Sequence, residues 1–202
     1  MYVCSVFFAF CNSHSTMEYI KTQFRDLLVC QPKLLGDSRG YFYETFNEQH
    51  FKAHTGLSVH FVQDNQSMSQ YGVVRGLHMQ GGAFAQAKLV RCIKGKVLDV
   101  VVDMRKAAPT FGQAFSIVLS EENHTQLFIP RGFAHGFSVL SEAAVFVYKC
   151  DNFYNRDFEI GLAYNDPKLA IDWKLPENDL IVSEKDQNNP AFAEAVNKLY
   201  SL

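Results

Sequence analysis

His78 lies in the stretch VVRGLHMQ, directly behind Arg75 and Gly76 and just ahead of a Gly-Gly pair. In a β-rich chain, a histidine in such a place usually belongs to a metal site or to a proton-transfer site. Neutral imidazole serves both, as a metal ligand and as a base that titrates near neutrality. The other charged residues nearby in sequence decide between the two kinds of site.

A second histidine, His135, occurs in PRGFAHGF. The spacing Pro-x-Gly-x-x-His is the second signature of cupin jelly rolls, in which a turn carries a histidine into the barrel mouth. Metal-binding cupins also supply His-x-His from a first signature, but this chain has His78-Met79-Gln80 there, followed by Lys88. Because an ammonium group is a poor ligand and repels a divalent ion, we predict that no metal is bound.

Positive charge gathers around these histidines. Arg75 and Lys88 are expected on neighbouring strands that face the same region as His78 and His135. Such groups at one barrel mouth repel each other unless an anion binds among them, so we expect an anionic ligand. For His135 two interpretations stay open: it binds the substrate, or it supports and tunes the site.

Strands must position most of these residues. QAKLVRCIKGKVLDVVVDMR reads as two β-rich runs broken at Lys94-Gly95-Lys96, which predicts a hairpin. Turn residues then recur at intervals of roughly ten, which favours a sandwich or barrel over βαβ units. Helices are predicted for residues 47–54 and after Pro190. The chain contains neither GxGxxG nor GxxxxGK[ST], the motifs that precede a phosphate-binding helix N-terminus. The prediction is one all-β domain with a few short peripheral helices.

Composition bounds the function further. The chain has 202 residues, enough for one sizeable core, and its formal charge of -2 disfavours binding to nucleic acid. No apolar run reaches the roughly 18 residues of a membrane span. Five cysteines without a CxxC pair predict reduced thiols and a cytoplasmic location. We interpret residues 1–16 as an extension or upstream start, because they lack a basic start and a strong cleavage signal, and assign residues 17–202 to the domain.

Eight motifs run through most of the chain. They are, in order, GDSRGYFYETF, FVQDNQSMS, VVRGLHMQ, QAKLVRCIKGKVLDVVVDMR, PTFGQ, IPRGFAHGFSVLSE, NDP and SEKD. Each is weak alone, but in this order and spacing the chain resembles the RmlC-type dTDP-4-dehydrorhamnose 3,5-epimerase family. The resemblance implies a cupin-like jelly roll that works as a homodimer without metal or nicotinamide. It also implies conversion of dTDP-4-keto-6-deoxy-D-glucose into dTDP-4-keto-6-deoxy-L-mannose, on the route to dTDP-L-rhamnose.

The resemblance assigns four residues to catalysis. Both C3 and C5 of this substrate lie α to the C4 ketone, so loss of either proton gives an enolate that an imidazole base can form. His78 matches the family's base and Asp186 the carboxylate that orients it, with Asp103 as a fallback partner. Lys88 matches the lysine aimed at the enolate oxygen, and Tyr148 the acid that returns a proton on the opposite face.

Substrate-binding positions also follow from the resemblance. They are Arg39 and Arg75 for the diphosphate, Gln63 and Asn65 as polar contacts, and Phe42, Glu44 and Tyr154 for the thymidine. In this family the segment around Arg39 and Glu44 crosses to the neighbouring subunit.

Three positions depart from the family pattern: Met79 after the histidine, Ala108 before PTFG and Tyr164 before NDP. Because Met79 directly follows the residue that matches the family's base, we expect it to affect the orientation of the bound sugar. The alternatives to a 3,5-epimerase are therefore an epimerase of C3 alone or of another nucleotide 4-keto sugar, and a sugar-nucleotide binder without activity.

Overall fold

The structure, a computed structural model, describes residues 16–202. Its strands are, in chain order, β1 (Met17–Lys21), β2 (Leu28–Pro32), β3 (Leu35–Asp37), β4 (Gly40–Phe42), β5 (Gln63–Gln70), β6 (Val73–Gln80), β7 (Lys88–Lys94), β8 (Lys96–Asp103), β9 (Ala114–Ser120), β10 (Gln126–Ile129), β11 (Phe133–Val139), β12 (Ala143–Cys150), β13 (Glu159–Gly161) and β14 (Ile181–Val182). The α-helices are α1 (Glu48–Thr55), α2 (Glu184–Gln187) and α3 (Phe192–Leu199), and 3-10 turns span Gly82–Phe84, Arg156–Phe158 and Glu177–Asp179.

The predicted all-β fold with a few short helices is confirmed. Of the predicted extension, residues 1–15 lie outside the described residues. None of the helices within residues 16–202 has the length and apolar character needed to cross a bilayer.

Two large sheets make up the fold. The first has the strand order β1-β2-β10-β7-β12-β5, and the second has the order β13-β6-β11-β8-β9, with β14 added in parallel to β6. Strands β3 and β4 form a separate small hairpin. The two large sheets face each other as a jelly-roll sandwich, so residues from both can reach one interior space.

The burial pattern of β8 explains why its sequence, KVLDVVVD, is almost continuously apolar. Val97 and Val101 pack in the core between the two sheets. Leu98, Val100 and Val102 alternate with them and pack on the opposite side of the second sheet, under the C-terminal segment that includes α3. Because strand side chains alternate between faces, a strand buried on both sides needs apolar residues throughout. The same alternation turns Asp99 towards the interior between the sheets.

The predicted hairpin at Lys94-Gly95-Lys96 is wrong. Strands β7 and β8 do end and begin there, but β7 belongs to the first sheet and β8 to the second. Gly95 has a φ of 75°, and a β-carbon there would lie 2.0 Å from the carbonyl oxygen of Ala143. The glycine therefore permits a tight turn that carries the chain from one sheet to the other.

The two predicted helices are present: α1 begins and ends one residue later than predicted, and α3 covers Phe192–Leu199 of the segment predicted after Pro190. Helix α1 is capped by Asn47, whose side-chain oxygen accepts the backbone N–H of His50 at 3.1 Å. Helix α3 buries Phe192, Ala195 and Val196 against the outer face of the second sheet. Helix α3 also contacts β13, the edge strand of that sheet.

Candidate active site

A cavity of about 460 Å³ lies between the two sheets. Its walls contain nine of the twelve residues predicted from the sequence: Gln63, Asn65, Arg75, His78, Lys88, His135, Tyr148, Tyr154 and Asp186. The cavity therefore brings together side chains that lie up to 123 positions apart, from Gln63 to Asp186. The fold collects them because β5, β7 and β12 belong to one sheet and β6 and β11 to the other.

His78 and Asp186 form a close pair on the wall of the cavity. The Nε2 atom of His78 lies 2.6 Å from Oδ1 of Asp186. Asp186 is buried, and its other oxygen accepts the backbone N–H of Gly76 at 3.3 Å. Burial alone would raise the pKa of this carboxyl, but hydrogen bonds from His78, Gly76 and Ser183 hold it below its usual value. Asp186 is thus a charged group that fixes the orientation of the His78 ring.

Local backbone geometry explains how α2 and β6 present this pair. The hydroxyl oxygen of Ser183 accepts the N–H of Asp186 at 3.1 Å and so caps the single turn of α2. On β6, Gly76 has a φ of 106°, and a β-carbon there would lie 2.7 Å from the carbonyl oxygen of His135. Only glycine allows β6 to approach β11 this closely. His78 consequently stands directly opposite His135 in the β6–β11 ladder.

Lys88 and Tyr148 come from the other sheet and line the same cavity. The ammonium of Lys88 lies 5.8 Å from the centre of the Tyr148 ring. Burial lowers the pKa of Lys88, an effect opposed by Cys150, Asp99 and Glu159. Burial also raises the pKa of Tyr148, so its hydroxyl keeps its proton at neutral pH. The His78–Asp186 pair from one sheet thus shares the cavity with an amine and a phenol from the other.

The expectation that Arg75 and Lys88 lie on neighbouring strands is wrong. Arg75 is on β6 in the second sheet and Lys88 on β7 in the first, so they approach the cavity from opposite sides. The Nε of Arg75 donates to the Ser69 hydroxyl at 2.9 Å, and no ion pair of Arg75 occurs within residues 16–202. Its guanidinium is therefore available to an anionic ligand.

His135 forms a second histidine–carboxylate pair beside the first. Its Nε2 lies 2.8 Å from Oδ2 of Asp99, which is fully buried, and His135 itself is 7% exposed. Burial raises the pKa of Asp99, and His135 opposes that rise. Sequence analysis missed Asp99, although an acidic residue inside the apolar run KVLDVVVD was the available signal, since buried carboxylates need partners.

Asp103 is not a partner of His78, so the fallback prediction is wrong. Its carboxylate accepts hydrogen bonds from the Arg105 guanidinium, at 2.7 and 2.8 Å, and from the Thr110 hydroxyl at 2.6 Å. All of these contacts lie at the end of β8 and the turn that follows. Asp103 therefore stabilises that turn rather than the cavity.

Polar residues from both sheets hold the loop that carries Tyr154. The side chain of Gln63 donates to Asn65 at 3.0 Å and accepts the backbone N–H of Tyr154 at 3.3 Å. Gln80, on the opposite sheet, accepts the N–H of Asn155 at 3.0 Å. The Tyr154 ring is 52% exposed at the mouth of the cavity. This arrangement leaves an aromatic face open to a ligand.

Arg39, Phe42 and Glu44 do not line the cavity of the subunit that the structure describes. Arg39 pairs with Asp37 in the turn of the β3–β4 hairpin, and Phe42 is 68% exposed on β4. Glu44 accepts hydrogen bonds from Thr16 and Asn47, both at 3.1 Å. The three residues lie in one segment, residues 39–44, that contributes nothing to the cavity walls.

Several residues of the cavity wall were not predicted. They include Gln66, Ser67, Phe146, Cys150 and Glu159. Burial raises the pKa of Cys150 to about 11, so this thiol stays protonated. Glu159 lies outside the motifs used above, and its sequence context gave no signal of a site.

Met79, the departure next to His78, is 4% exposed and packs in the hydrophobic cluster of Ile160 and Ala195 on the other side of the second sheet. Strand alternation accounts for this, because His78 and Met79 point to opposite faces. Part of Met79 nevertheless reaches the cavity wall.

Comparisons with known proteins agree with this geometry. Residues 21–194 match the family model described as dTDP-4-dehydrorhamnose 3,5-epimerase. The chain is 50% identical over 179 residues to the dTDP-4-dehydrorhamnose 3,5-epimerase of Shigella flexneri, an alignment covering 89% of this chain and 98% of that protein.

Solved structures show the same similarity. The crystal structure of dTDP-4-dehydrorhamnose 3,5-epimerase from Elizabethkingia anophelis matches with a TM-score of 0.86 and 56% identity, covering 89% of this chain and 98% of that one. A Legionella pneumophila epimerase in complex with dTDP-4-keto-L-rhamnose matches with a TM-score of 0.83 and 46% identity, covering 89% and 96%. This protein belongs to the dTDP-4-dehydrorhamnose 3,5-epimerase family.

Proposed function

We propose that this protein is a dTDP-4-dehydrorhamnose 3,5-epimerase that acts on dTDP-4-keto-6-deoxy-D-glucose. One observation carries the proposal: the His78–Asp186 pair, 2.6 Å apart, shares a cavity with Lys88 and Tyr148 from the facing sheet. Epimerisation needs a base and an acid on opposite sides of one sugar ring. Membership of the family indicates the class of substrate that is expected to bind in this cavity.

His78 is the proposed base. The ring nitrogen that faces Asp186 carries a proton and donates it in a hydrogen bond, which leaves the other nitrogen to take a proton from C3 or C5. As the imidazole becomes positive, the charge of Asp186 offsets it. The carboxylate thus favours the ring orientation that proton abstraction requires and stabilises the imidazolium that the step produces.

Lys88 and Tyr148 complete the proposed reaction. Loss of a proton beside the C4 ketone places negative charge on the C4 oxygen, and the Lys88 ammonium stabilises this enolate. Tyr148 then gives its proton to the carbon from the side opposite His78, which inverts the centre. Before the next cycle the imidazolium of His78 releases its proton to solvent, and the tyrosinate takes one up. A raised tyrosine pKa makes the hydroxyl available as an acid at neutral pH.

The same cavity suits a nucleotide substrate. Arg75 offers a guanidinium for the diphosphate, Gln63 and Asn65 offer polar contacts, and Tyr154 offers an aromatic face for the thymine. His135, held by Asp99, is assigned to the cavity wall as a supporting contact to the sugar.

A homodimer would supply the remaining binding residues. Every residue of β3 and β4 is exposed, including Leu35 at 55% and Phe42 at 68%. Exposed apolar side chains on a projecting hairpin are typical of a surface that another chain covers. We infer that this hairpin reaches a second copy and brings Arg39, Phe42 and Glu44 to its cavity. Light scattering after size-exclusion chromatography should give the mass of two chains, and a monomeric mass would contradict the inference.

The proposed location is the cytoplasm. Cys30, Cys92 and Cys150 are buried and unpaired, as expected for a protein kept in a reducing compartment.

The experiment that tests the function is proton NMR of dTDP-4-keto-6-deoxy-D-glucose incubated with the protein in D2O. Deuterium is expected to enter at both C3 and C5 as the product forms. Label at C3 alone would make the protein a single-centre epimerase. Absence of exchange with tight binding of dTDP would indicate a sugar-nucleotide binder without activity.

A further inference from the structure

Two tyrosines at the end of the β3–β4 hairpin pack against one histidine of the same chain. The ring centre of His124 lies 4.9 Å from that of Tyr41 and 5.3 Å from that of Tyr43. The two tyrosine rings are stacked, with their centres 5.9 Å apart. His124 belongs to the turn between β9 and β10. The three residues form a ring cluster that joins the hairpin to this turn.

The turn that carries His124 is held by its own hydrogen bonds. The side-chain oxygen of Asn123 accepts the backbone N–H of Ser120 and that of Thr125, both at 3.0 Å. The side-chain amide of Asn123 donates to the carbonyl oxygen of Val118 at 2.9 Å. His124 has a φ of 52°, a left-handed conformation that most residue types disfavour. The turn therefore presents the imidazole as a fixed surface for the tyrosine rings.

The rest of the hairpin has little packing to orient it. At its base, the buried side chain of Gln126 donates to the carbonyl oxygen of Thr45 at 2.9 Å, and the Arg91 guanidinium donates to the Tyr43 hydroxyl at 3.4 Å. Residues 35–42 are all exposed. The direction in which the hairpin extends therefore depends strongly on the ring cluster.

The ring cluster also sets the direction of Phe42. Because side chains alternate along an extended strand, Tyr41 and Tyr43 share one side and Phe42 points to the other. The two tyrosines face His124, and Phe42 is 68% exposed. Contacts that fix the tyrosine rings therefore fix where Phe42 points. In the proposed dimer, Phe42 is one of the residues that the hairpin brings to the second copy.

We propose that His124, acting through Tyr41 and Tyr43, is a positioning residue for nucleotide binding in the cavity of the partner subunit. The inference rests on the proposed function and on the proposed dimer. None of the three rings lines the cavity of the subunit that the structure describes. The ring cluster is therefore assigned an effect on nucleotide affinity and none on the chemical step.

The first test replaces the histidine. His124→Asn removes the ring but keeps a residue type that tolerates the left-handed backbone. By isothermal titration calorimetry, dTDP is expected to bind about tenfold more weakly, because two ring contacts are lost. At saturating substrate, kcat should change less than about twofold, and the midpoint of thermal unfolding should stay within about 2 °C. His60→Asn, at a side chain that is 78% exposed, is the matched control and should change none of these.

The second test replaces a tyrosine of the hairpin. Tyr43→Leu is expected to weaken dTDP binding about fivefold, whereas Tyr43→Phe, which keeps the ring, should stay within about twofold of the unchanged protein. When Tyr43→Leu is combined with His124→Asn, the loss should be smaller than the product of the two single losses, because both break the same contact. Losses that multiply would show that the two residues act independently and would overturn the ring cluster.

The third test asks in which subunit the effect appears. Heterodimers are isolated through two different affinity tags, so that each has one active cavity. In a dimer of an unchanged chain and a chain with both His78→Asn and His124→Asn, the active cavity receives the altered hairpin, and KM should rise about tenfold. In a dimer of a His124→Asn chain and a His78→Asn chain, the active cavity receives an intact hairpin, and KM should be normal. Equal KM values in the two dimers would overturn the inference.

These measurements separate the inference from the function. If the unchanged protein exchanges deuterium at C3 and C5 while His124→Asn matches it in dTDP affinity, the inference fails and the function stands. A fall in kcat as large as the fall in affinity would also overturn the inference, because it would place the effect on chemistry. If the unchanged protein neither binds dTDP nor exchanges deuterium, the function fails and the inference fails with it.

Discussion

His78 projects from β6 in the second sheet, whereas Tyr148 projects from β12 in the first. A sugar ring held between the sheets would therefore present one face to each residue. Inversion requires that a proton leave from one face and return to the other, which a single side chain cannot do without moving around the ring. The proposed division of base and acid between the two sheets would give this stereochemistry a structural basis.

Replacing the base tests one half of this division. His78→Asn is expected to lower both deuterium exchange and turnover about 10²- to 10⁴-fold, because the amide has no basic nitrogen to take the proton. Circular dichroism should show an unchanged fold. His60→Asn, at a side chain that is 78% exposed, is the matched control and should keep full activity. Exchange at the normal rate in His78→Asn would remove His78 as the base.

Replacing the acid tests the other half. Tyr148→Phe keeps the ring in place but removes the proton that inverts the carbon. Exchange of deuterium into the substrate is expected to continue, because His78 can return a solvent-derived proton to the face it came from. Formation of the epimerised product should fall far more than exchange, as NMR of both species would measure. Equal losses of exchange and product would argue against Tyr148 as the acid.

At the level of elements, the end of β8 illustrates how a buried carboxylate holds a turn. Asp103 is fully buried and accepts hydrogen bonds from Arg105 and Thr110, both of which lie in the segment that leads to β9. Burial alone would raise the pKa of Asp103, but these hydrogen bonds lower it below its usual value. The charged form is therefore the one that the fold stabilises.

This makes the contribution of Asp103 dependent on pH. Because its pKa is lower in the folded protein than in the unfolded chain, its stabilisation is complete above about pH 4 and is lost as the pH falls through the folded value. Asp103→Asn should lower the free energy of unfolding at pH 7 by roughly 1–3 kcal/mol, and the difference should shrink in acid. Urea titrations across pH would measure it, with exposed Asp157→Asn as the control. A difference that is constant with pH would contradict this account.

Elements also show how far the sequence could predict the fold. Alternation and turn residues correctly placed the ends of β7 and β8, since both signals are local. They predicted a hairpin at Gly95 because a tight turn looks the same whether the next strand joins the same sheet or the facing one. That choice depends on which apolar faces pack together. It is decided by tertiary contacts that no local pattern contains.

The residues of the candidate site could be predicted from the sequence only in part, because some of them are brought together by tertiary contacts. His78 and Lys88 lie in contiguous motifs that the family resemblance could identify, and so does Asp186, 108 positions from its partner His78. Tyr148 lies outside those motifs, in VFVYKC, and was assigned by its match to the family tyrosine. Glu159 was missed because only its contacts with two other segments mark it as part of the site. Spacing along the chain carries no information about such a junction.

For the whole molecule, the main question is how the β3–β4 hairpin relates to the cavity. Arg39 and Phe42 lie on this hairpin and share no wall with His78 in the subunit described. If the hairpin serves a second copy, each active site in a two-fold dimer combines the cavity of one chain with the hairpin of the other. Neither chain alone would then hold a complete nucleotide site.

Subunit complementation tests this arrangement directly. Arg39→Ala and His78→Asn homodimers are each expected to be nearly inactive. In a dimer of one Arg39→Ala chain and one His78→Asn chain, one site carries both defects and the other carries neither. Random pairing of equal amounts by co-expression should therefore restore about a quarter of the activity of the unchanged protein. The same mixture with Lys88→Ala in place of Arg39→Ala should restore none, because each cavity then keeps a defect of its own. No recovery with Arg39→Ala would show that the hairpin does not complete the partner's site.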